Sequence, residues 1–83
     1  MQPTYVSSSN IDAVGYSLGS MCIRFRNGTS YRYSKVPYEV FSRLASAESV
    51  GQTFHQIVRG KYEYEKLQRN PFIGGQDHVQ NLV

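Results

Sequence analysis

Between Met21 and Tyr33 the side chains alternate in a way that leaves few folds open to the chain. Met21, Ile23 and Phe25 are apolar, Cys22, Arg24 and Arg26 fall between them, and beyond Asn27-Gly28 the alternation resumes with Tyr31, Arg32 and Tyr33. A period of two places one set of side chains on each face of a strand. Asn-Gly between two such runs is a strong short-range hairpin signal. Loop length then decides how the faces meet. A two-residue loop pairs Arg26 with Thr29 and Phe25 with Ser30, which sends Tyr31 and Tyr33 to the face opposite Phe25. A three-residue loop, Arg26-Asn27-Gly28 with Gly28 in the left-handed conformation of a bulge, pairs Phe25 with Thr29, Ile23 with Tyr31 and Met21 with Tyr33. Because a slip of one residue throws a whole side-chain set into water, the three-residue loop is predicted. The tyrosines then face the core, and Cys22, Arg24, Ser30 and Arg32 face outward.

Around this hairpin the chain divides readily. Residues 1–10 read as an extended lead-in with Tyr5 and Val6 as anchors, and residues 11–16 as a first strand that reaches the hairpin through a turn containing Gly19. Val36-Pro37 marks the next boundary, since proline pre-sets a first helical turn and restricts the residue before it to extended geometry. Val40, Phe41, Leu44 and Ala47 recur at spacings of three and four, which predicts a helix over 37–47 with one apolar stripe. Ser49-Val50-Gly51-Gln52 fits a capping box opening a second helix over 50–59, with Phe54, Ile57 and Val58 buried and Gly60 as its stop. Residues 61–69 are ambiguous: Tyr62 and Tyr64 alternate, but the charges suit a helical turn, and a weak helix is predicted. From residue 70 onward, Pro71, Gly74, Gly75 and a polar run predict a flexible tail over 70–83. The expected architecture is α+β, a small antiparallel three-stranded β-meander followed by two helices packed on one face, in a single domain over 1–69.

Composition narrows the function classes. A chain of 83 residues holds one compact core, and seven tyrosines and four phenylalanines argue against disorder. The single cysteine excludes an internal disulfide, no secretory signal pattern opens the chain, and no run approaches the roughly 20 apolar residues of a membrane span. A cytoplasmic location is expected. Cys22 falls in a strand, His55 in a helix and His78 in the tail, so no catalytic Cys/His pair and no zinc site is spelled out. The carboxylates are scattered, and Gly15 and Gly19 lack the spacing of a phosphate loop. No enzyme, metal or cofactor is expected.

The net charge is +3, but no acidic residue stands between Asp12 and Glu39. Arg24, Arg26, Arg32 and Lys35 sit in that gap, a local excess that favours anionic partners. Arg59 and Lys61 flank Gly60 at the end of the second helix, where cations meet the helix dipole favourably. If that end lies beside the hairpin, they join Arg24 and Arg32 in one basic surface. The leading expectation is a binding module for RNA or single-stranded DNA, with phosphate contacts from this surface, help from Tyr31 and Tyr33, and affinity that falls steeply with salt. The competing expectation is a protein-interaction module, such as a phage or bacterial regulator of a host complex, since aromatic and arginine side chains also anchor protein interfaces.

The order of several short elements adds a resemblance. Val6-Ser7-Ser8-Ser9-Asn10-Ile11, Val14-Gly15-Tyr16, Ile23-Arg24-Phe25-Arg26-Asn27-Gly28, Tyr31-Arg32-Tyr33 and Val36-Pro37, followed by Ala47-Glu48-Ser49-Val50-Gly51 and then Phe54, Ile57, Arg59 and Tyr62, resemble the small KTSC domain over roughly residues 6–64. That family is a stand-alone bacterial or phage domain that also occurs at the C-terminus of some lysyl-tRNA synthetases. The resemblance implies an RNA-binding accessory role, matches Tyr31-Arg32-Tyr33 to the family's Tyr-x-Tyr motif, and supplies no catalytic residue.

Overall fold

The computed structural model describes residues 2–72. In chain order its elements are β1 (Thr4–Tyr5), β2 (Ile11–Ser17), β3 (Ser20–Phe25), β4 (Ser30–Tyr33), α1 (Tyr38–Ala45), α2 (Val50–Ile57) and β5 (Tyr64–Leu67). The strands form one antiparallel sheet in sequence order, with both helices inserted between β4 and β5.

The hairpin takes the register that burial demands. Phe25 N donates to Thr29 O at 2.8 Å and Gly28 N to Phe25 O at 3.0 Å, while Met21 stands opposite Tyr33 and Ile23 opposite Tyr31. Gly28 adopts φ +95°, a conformation that only glycine enters without steric penalty. One face of the sheet therefore carries Met21, Ile23 and Tyr33, and the helices pack on it through Leu44, Val50, Phe54 and Val58. Each helix is only eight residues long, too short to hold in water without this packing.

A β-bulge at Asp12 brings one more side chain to that face. Ile11 pairs with Phe25 and Ala13 with Arg24, so two residues of β2 span one step of β3. The extra residue shifts the alternation. Ile11 and Val14 consequently both enter the core while Ala13 points to the reverse face.

Two strands replace expectations of other structure. The lead-in contributes β1, with Thr4 opposite Val14 and Tyr5 opposite Ala13. The segment predicted as weak helix contains β5, with Tyr64 opposite Tyr33, Glu65 opposite Arg32 and Leu67 opposite Ser30. The sheet thus has five strands rather than three. The cause is tertiary: without β5, the outer edge of β4 would leave its backbone groups unpaired, and the Tyr62/Tyr64 alternation fits that edge. Both helices end earlier than predicted. At the second, Ser49 occupies the N-cap position but its hydroxyl caps no amide among the described residues, and the first turn closes through Thr53 N to Ser49 O at 3.0 Å. Gly60, at φ +77°, supplies the predicted left-handed stop.

The reverse face of the sheet is covered as well, which corrects the expectation that Cys22 and Ser30 face outward. Asn70 Oδ1 accepts a hydrogen bond from Phe72 N at 2.9 Å, turning the chain so that Phe72 packs with Ala13, Cys22 and Leu67. The segment predicted as a tail thus begins with residues folded onto the sheet, and positions 73–83 lie outside the described residues. Burial pushes the Cys22 thiol above its ordinary range, against the pull of the Arg32 guanidinium. Ser30 is 2% exposed, and its hydroxyl has no hydrogen-bond partner among the described residues. An unmade buried hydrogen bond costs about 1–3 kcal/mol. Ser30→Ala is therefore expected to leave stability unchanged or raise it by about 1 kcal/mol, read from the urea midpoint; a loss of that size would show that the hydroxyl has a partner in solution.

Candidate nucleic-acid interface

The arginines of the hairpin are not free charges. The bulge at Asp12 turns its carboxylate toward two of them, with Arg24 Nε 3.6 Å from Oδ2 and Arg26 Nη1 4.0 Å from Oδ1. Arg24 Nη1 also donates to Gly28 O at 3.4 Å, and Arg26 Nε donates to Ser8 O at 2.5 Å. Arg32 pairs with Glu65, which stands opposite it on β5. Exposed ion pairs stabilise little, about 0–1 kcal/mol, but the two carboxylates offset half of the positive charge of Arg24, Arg26, Arg32 and Lys35. The uncompensated basic ribbon expected from the sequence is therefore corrected: its counter-charges come from Asp12 at the edge of the gap and Glu65 from a distant strand.

The remaining cations divide between locations. Arg24 and Arg32 belong to the reverse face with Cys22, whereas Arg59 follows α2 on the helical side, so these three do not form the single basic surface considered above. Lys35 is exposed in a left-handed turn at φ +57°, and Lys61 is exposed beyond Gly60. The double variant Arg24→Ala, Arg32→Ala is expected to fold, with a loss below about 2 kcal/mol for its two exposed ion pairs, as measured by thermal unfolding. A cooperative transition lost altogether would make these arginines part of the fold.

The helical side carries a different feature. Between the hairpin and α2 runs a groove of ≈ 750 Å³, lined by Phe25, Tyr31, Tyr33, Phe54 and Tyr64 with Arg26, His55 and Arg59 among its polar groups. The five aromatic rings form a closed circuit: Phe25 to Tyr31 at 5.8 Å, Tyr31 to Tyr64 at 5.7 Å, Tyr64 to Tyr33 at 5.5 Å, Tyr33 to Phe54 at 6.0 Å and Phe54 back to Phe25 at 5.7 Å. Four of these contacts are edge-to-face, the arrangement favoured by the ring quadrupole. Arg59 Nη1 lies 3.1 Å from His55 Nδ1, which holds a guanidinium beside the rings. Tyr33 is buried, Tyr31 half-buried, and Tyr64 62% exposed. The sequence pointed to Tyr31, Tyr33, Arg26 and Arg59; it missed Tyr64, whose alternation with Tyr62 was the available signal.

Burial pushes the Tyr33 phenol up to about 12, with the neighbouring Tyr64 and Tyr31 hydroxyls adding to the rise and Arg59 opposing it. The native state thus holds this proton more tightly than the unfolded chain, where a tyrosine titrates near 10. The associated stability is complete below about pH 10 and is lost as pH climbs toward 12. Urea midpoints measured across this interval are expected to fall, and Tyr33→Phe is expected to flatten the decline; an equal decline in the variant would place its origin elsewhere.

The arrangement offers exposed aromatic surface at Tyr64 and at part of Tyr31, with two guanidinium groups at its rim. Cys22 and His55 belong to opposite sides of the sheet, and among the described residues no three His, Cys, Asp or Glu side chains gather as metal ligands. No described helix is long and apolar enough to cross a membrane.

Comparison with known proteins places this geometry. A crystal structure of a KTSC domain protein from Yersinia pestis superposes with a TM-score of 0.74 at 35% identity, covering 80% of this chain and 96% of the other. A protein from Tsukamurella paurometabola is 42% identical over 64 residues, 75% of this chain and 92% of that relative. The lysine–tRNA ligase of Trichormus variabilis is 42% identical over 48 residues, 58% of this chain, but the chain spans only 9% of the ligase's length. The KTSC domain profile matches residues 7–62, from the serine run that borders the groove to the segment leading into β5. With the family pattern covering well over half of the chain and the same fold in a solved member, this protein belongs to the KTSC domain family.

Proposed function

We propose that this domain is a non-catalytic module that binds single-stranded nucleic acid in the groove between the β3–β4 hairpin and α2. The observation that carries the reading is the aromatic circuit with Arg26 and Arg59 at its edge. Unpaired bases stack on such rings at about 1–3 kcal/mol each, and guanidinium groups meet the phosphates. A duplex keeps its bases stacked inside and has no face to offer the groove. The groove's volume is also within the ordinary range for ligand sites, about 300–1,000 Å³. Relatives that carry this domain within lysine–tRNA ligases give an RNA contact a context.

The reading differs from a basic ribbon in its salt dependence. Single-strand binding weakens with a log–log slope of about −0.7 per phosphate neutralised. Two rim arginines give a slope near −1.4, whereas the four cations of the hairpin region would give about −2.8. Fluorescence anisotropy with labelled single-stranded RNA, tRNA and duplex controls checks both points. The expected result is saturable binding of unpaired RNA with the shallow slope, little affected by Arg24→Ala with Arg32→Ala. Absence of binding to every single strand at low salt overturns the proposal.

A protein-interaction role has one observation of its own. Leu18, in the two-residue turn between β2 and β3, is fully exposed at φ +51°, an uncommon conformation for a bulky side chain. Leu18→Asn relieves that geometry and removes an exposed apolar side chain of the kind that protein interfaces bury. Loss of a co-purifying protein on this substitution, with RNA binding absent in the parent, would favour the interaction reading.

A further inference from the structure

The groove continues past the aromatic circuit. A second cavity of ≈ 370 Å³ shares Ser9, Asn10, Gly51 and His55 with it and runs on to Glu48 and Gln52. The two ends differ in chemistry. Toward Gly60 the lining is aromatic with Arg59, while the far end has hydroxyl and amide groups and one carboxylate, Glu48. Ser8 braces this end: its hydroxyl accepts from Asn10 N and Ile11 N, both at 3.2 Å, and its carbonyl accepts from Arg26 Nε. Ser9 and Asn10 are thereby fixed at the rim, both exposed.

We infer that the far end is a ribose-reading subsite that makes the module prefer RNA over DNA, an inference that rests on the proposed binding of single strands. A carboxylate repels a phosphate but accepts a hydrogen bond from a 2′-hydroxyl, the group that distinguishes RNA from DNA. The hydroxyl of Ser9 and the amide of Asn10 can both donate to and accept from the same sugar. Position along the helix sets the length of strand involved. From Val50 to Ile57 the helix α2, which lines both cavities, covers seven residue steps, about 10 Å at 1.5 Å per residue, which spans about three nucleotides at a stacked spacing of about 3.4 Å. The strand lies with its bases stacked at Tyr31 and Tyr64, its phosphates at Arg59 and Arg26, and the last sugar between Ser9 and Glu48.

The test compares fluorescein-labelled ribo-adenylate and deoxyribo-adenylate trimers by anisotropy, on the parent protein and on the double variant Ser9→Ala, Glu48→Ala. Both positions are exposed, so the variant is expected to fold, which circular dichroism checks. The parent is expected to bind the RNA trimer about tenfold more tightly, the scale of one or two hydrogen bonds. The variant is expected to lose that preference while DNA binding does not weaken. Equal binding of RNA and DNA trimers by the parent overturns the subsite and leaves the stacking groove standing. A preference retained in the variant overturns its assignment to Ser9 and Glu48. Binding of neither trimer overturns the single-strand reading itself.

Discussion

Phe54→Ala is expected to remove about 3–5 kcal/mol of folding stability, the range for emptying a buried aromatic site. Phe54 is the junction between the core and the groove: its ring contacts Phe25 at 5.7 Å and Tyr33 at 6.0 Å, and it belongs to the cluster that holds α2 against the sheet. A domain of 83 residues has about 4–12 kcal/mol in total, at about 0.05–0.15 kcal/mol per residue. The variant therefore sits near the edge of folding at ordinary temperature. Urea unfolding followed by circular dichroism measures the loss; a decrease below about 1 kcal/mol would mean that neighbouring side chains refill the site and that α2 does not depend on this ring. Phe54→Leu, which keeps most of the apolar contact, is expected to recover more than half of the loss.

Tyr64→Ala is expected to act on binding instead. Tyr64 is 62% exposed, on the outermost strand, and closes the aromatic circuit against Tyr31 and Tyr33. Its removal takes away one stacking surface worth about 1–3 kcal/mol, or about 5- to 150-fold in affinity for single-stranded RNA. Tyr64→Phe retains the ring and is expected to bind within about threefold of the parent, because only the hydroxyl's hydrogen bonding is lost. Anisotropy titrations at constant salt measure the ratio. If the alanine variant bound as well as the parent while remaining folded, the groove would not be where bases stack.

How far the sequence reveals this site depends on the distance over which each residue's partner acts. The register of β3 and β4 is legible because Gly28 and the inward tyrosines are close in sequence and a one-residue slip has a large cost in exposed apolar surface. The apolar faces of α1 and α2 are legible from their spacing. The charge state of the hairpin is not, since Glu65 reaches Arg32 across a connection that contains both helices. The bulge that re-aims Asp12 leaves no signature such as glycine at its own position. Local charge pattern in residues 61–69 argued for a helix, whereas the unpaired edge of β4 imposed a strand there. The same misreading concealed Tyr64, so the groove could not be assembled from the sequence even though four of its side chains had been singled out.

The late position of β5 gives the groove a time order. The β2–β3 and β3–β4 hairpins close over turns of a few residues, an event of microseconds. Pairing of β5 with β4 is expected to follow the packing of the intervening helices on the sheet, which offsets the loop-closure entropy of that long connection. A four-residue strand joined to the sheet along one side is also, like the two-residue β1 at the other edge, a place where local opening is expected to begin. The amides of β5 are therefore expected to exchange with solvent ahead of those in β3, and a ligand in the groove, by binding only the closed form, is expected to slow that exchange as its concentration rises. Hydrogen exchange at residues 64–67 becomes a direct reporter of occupancy, in a strand whose opening dismantles the site.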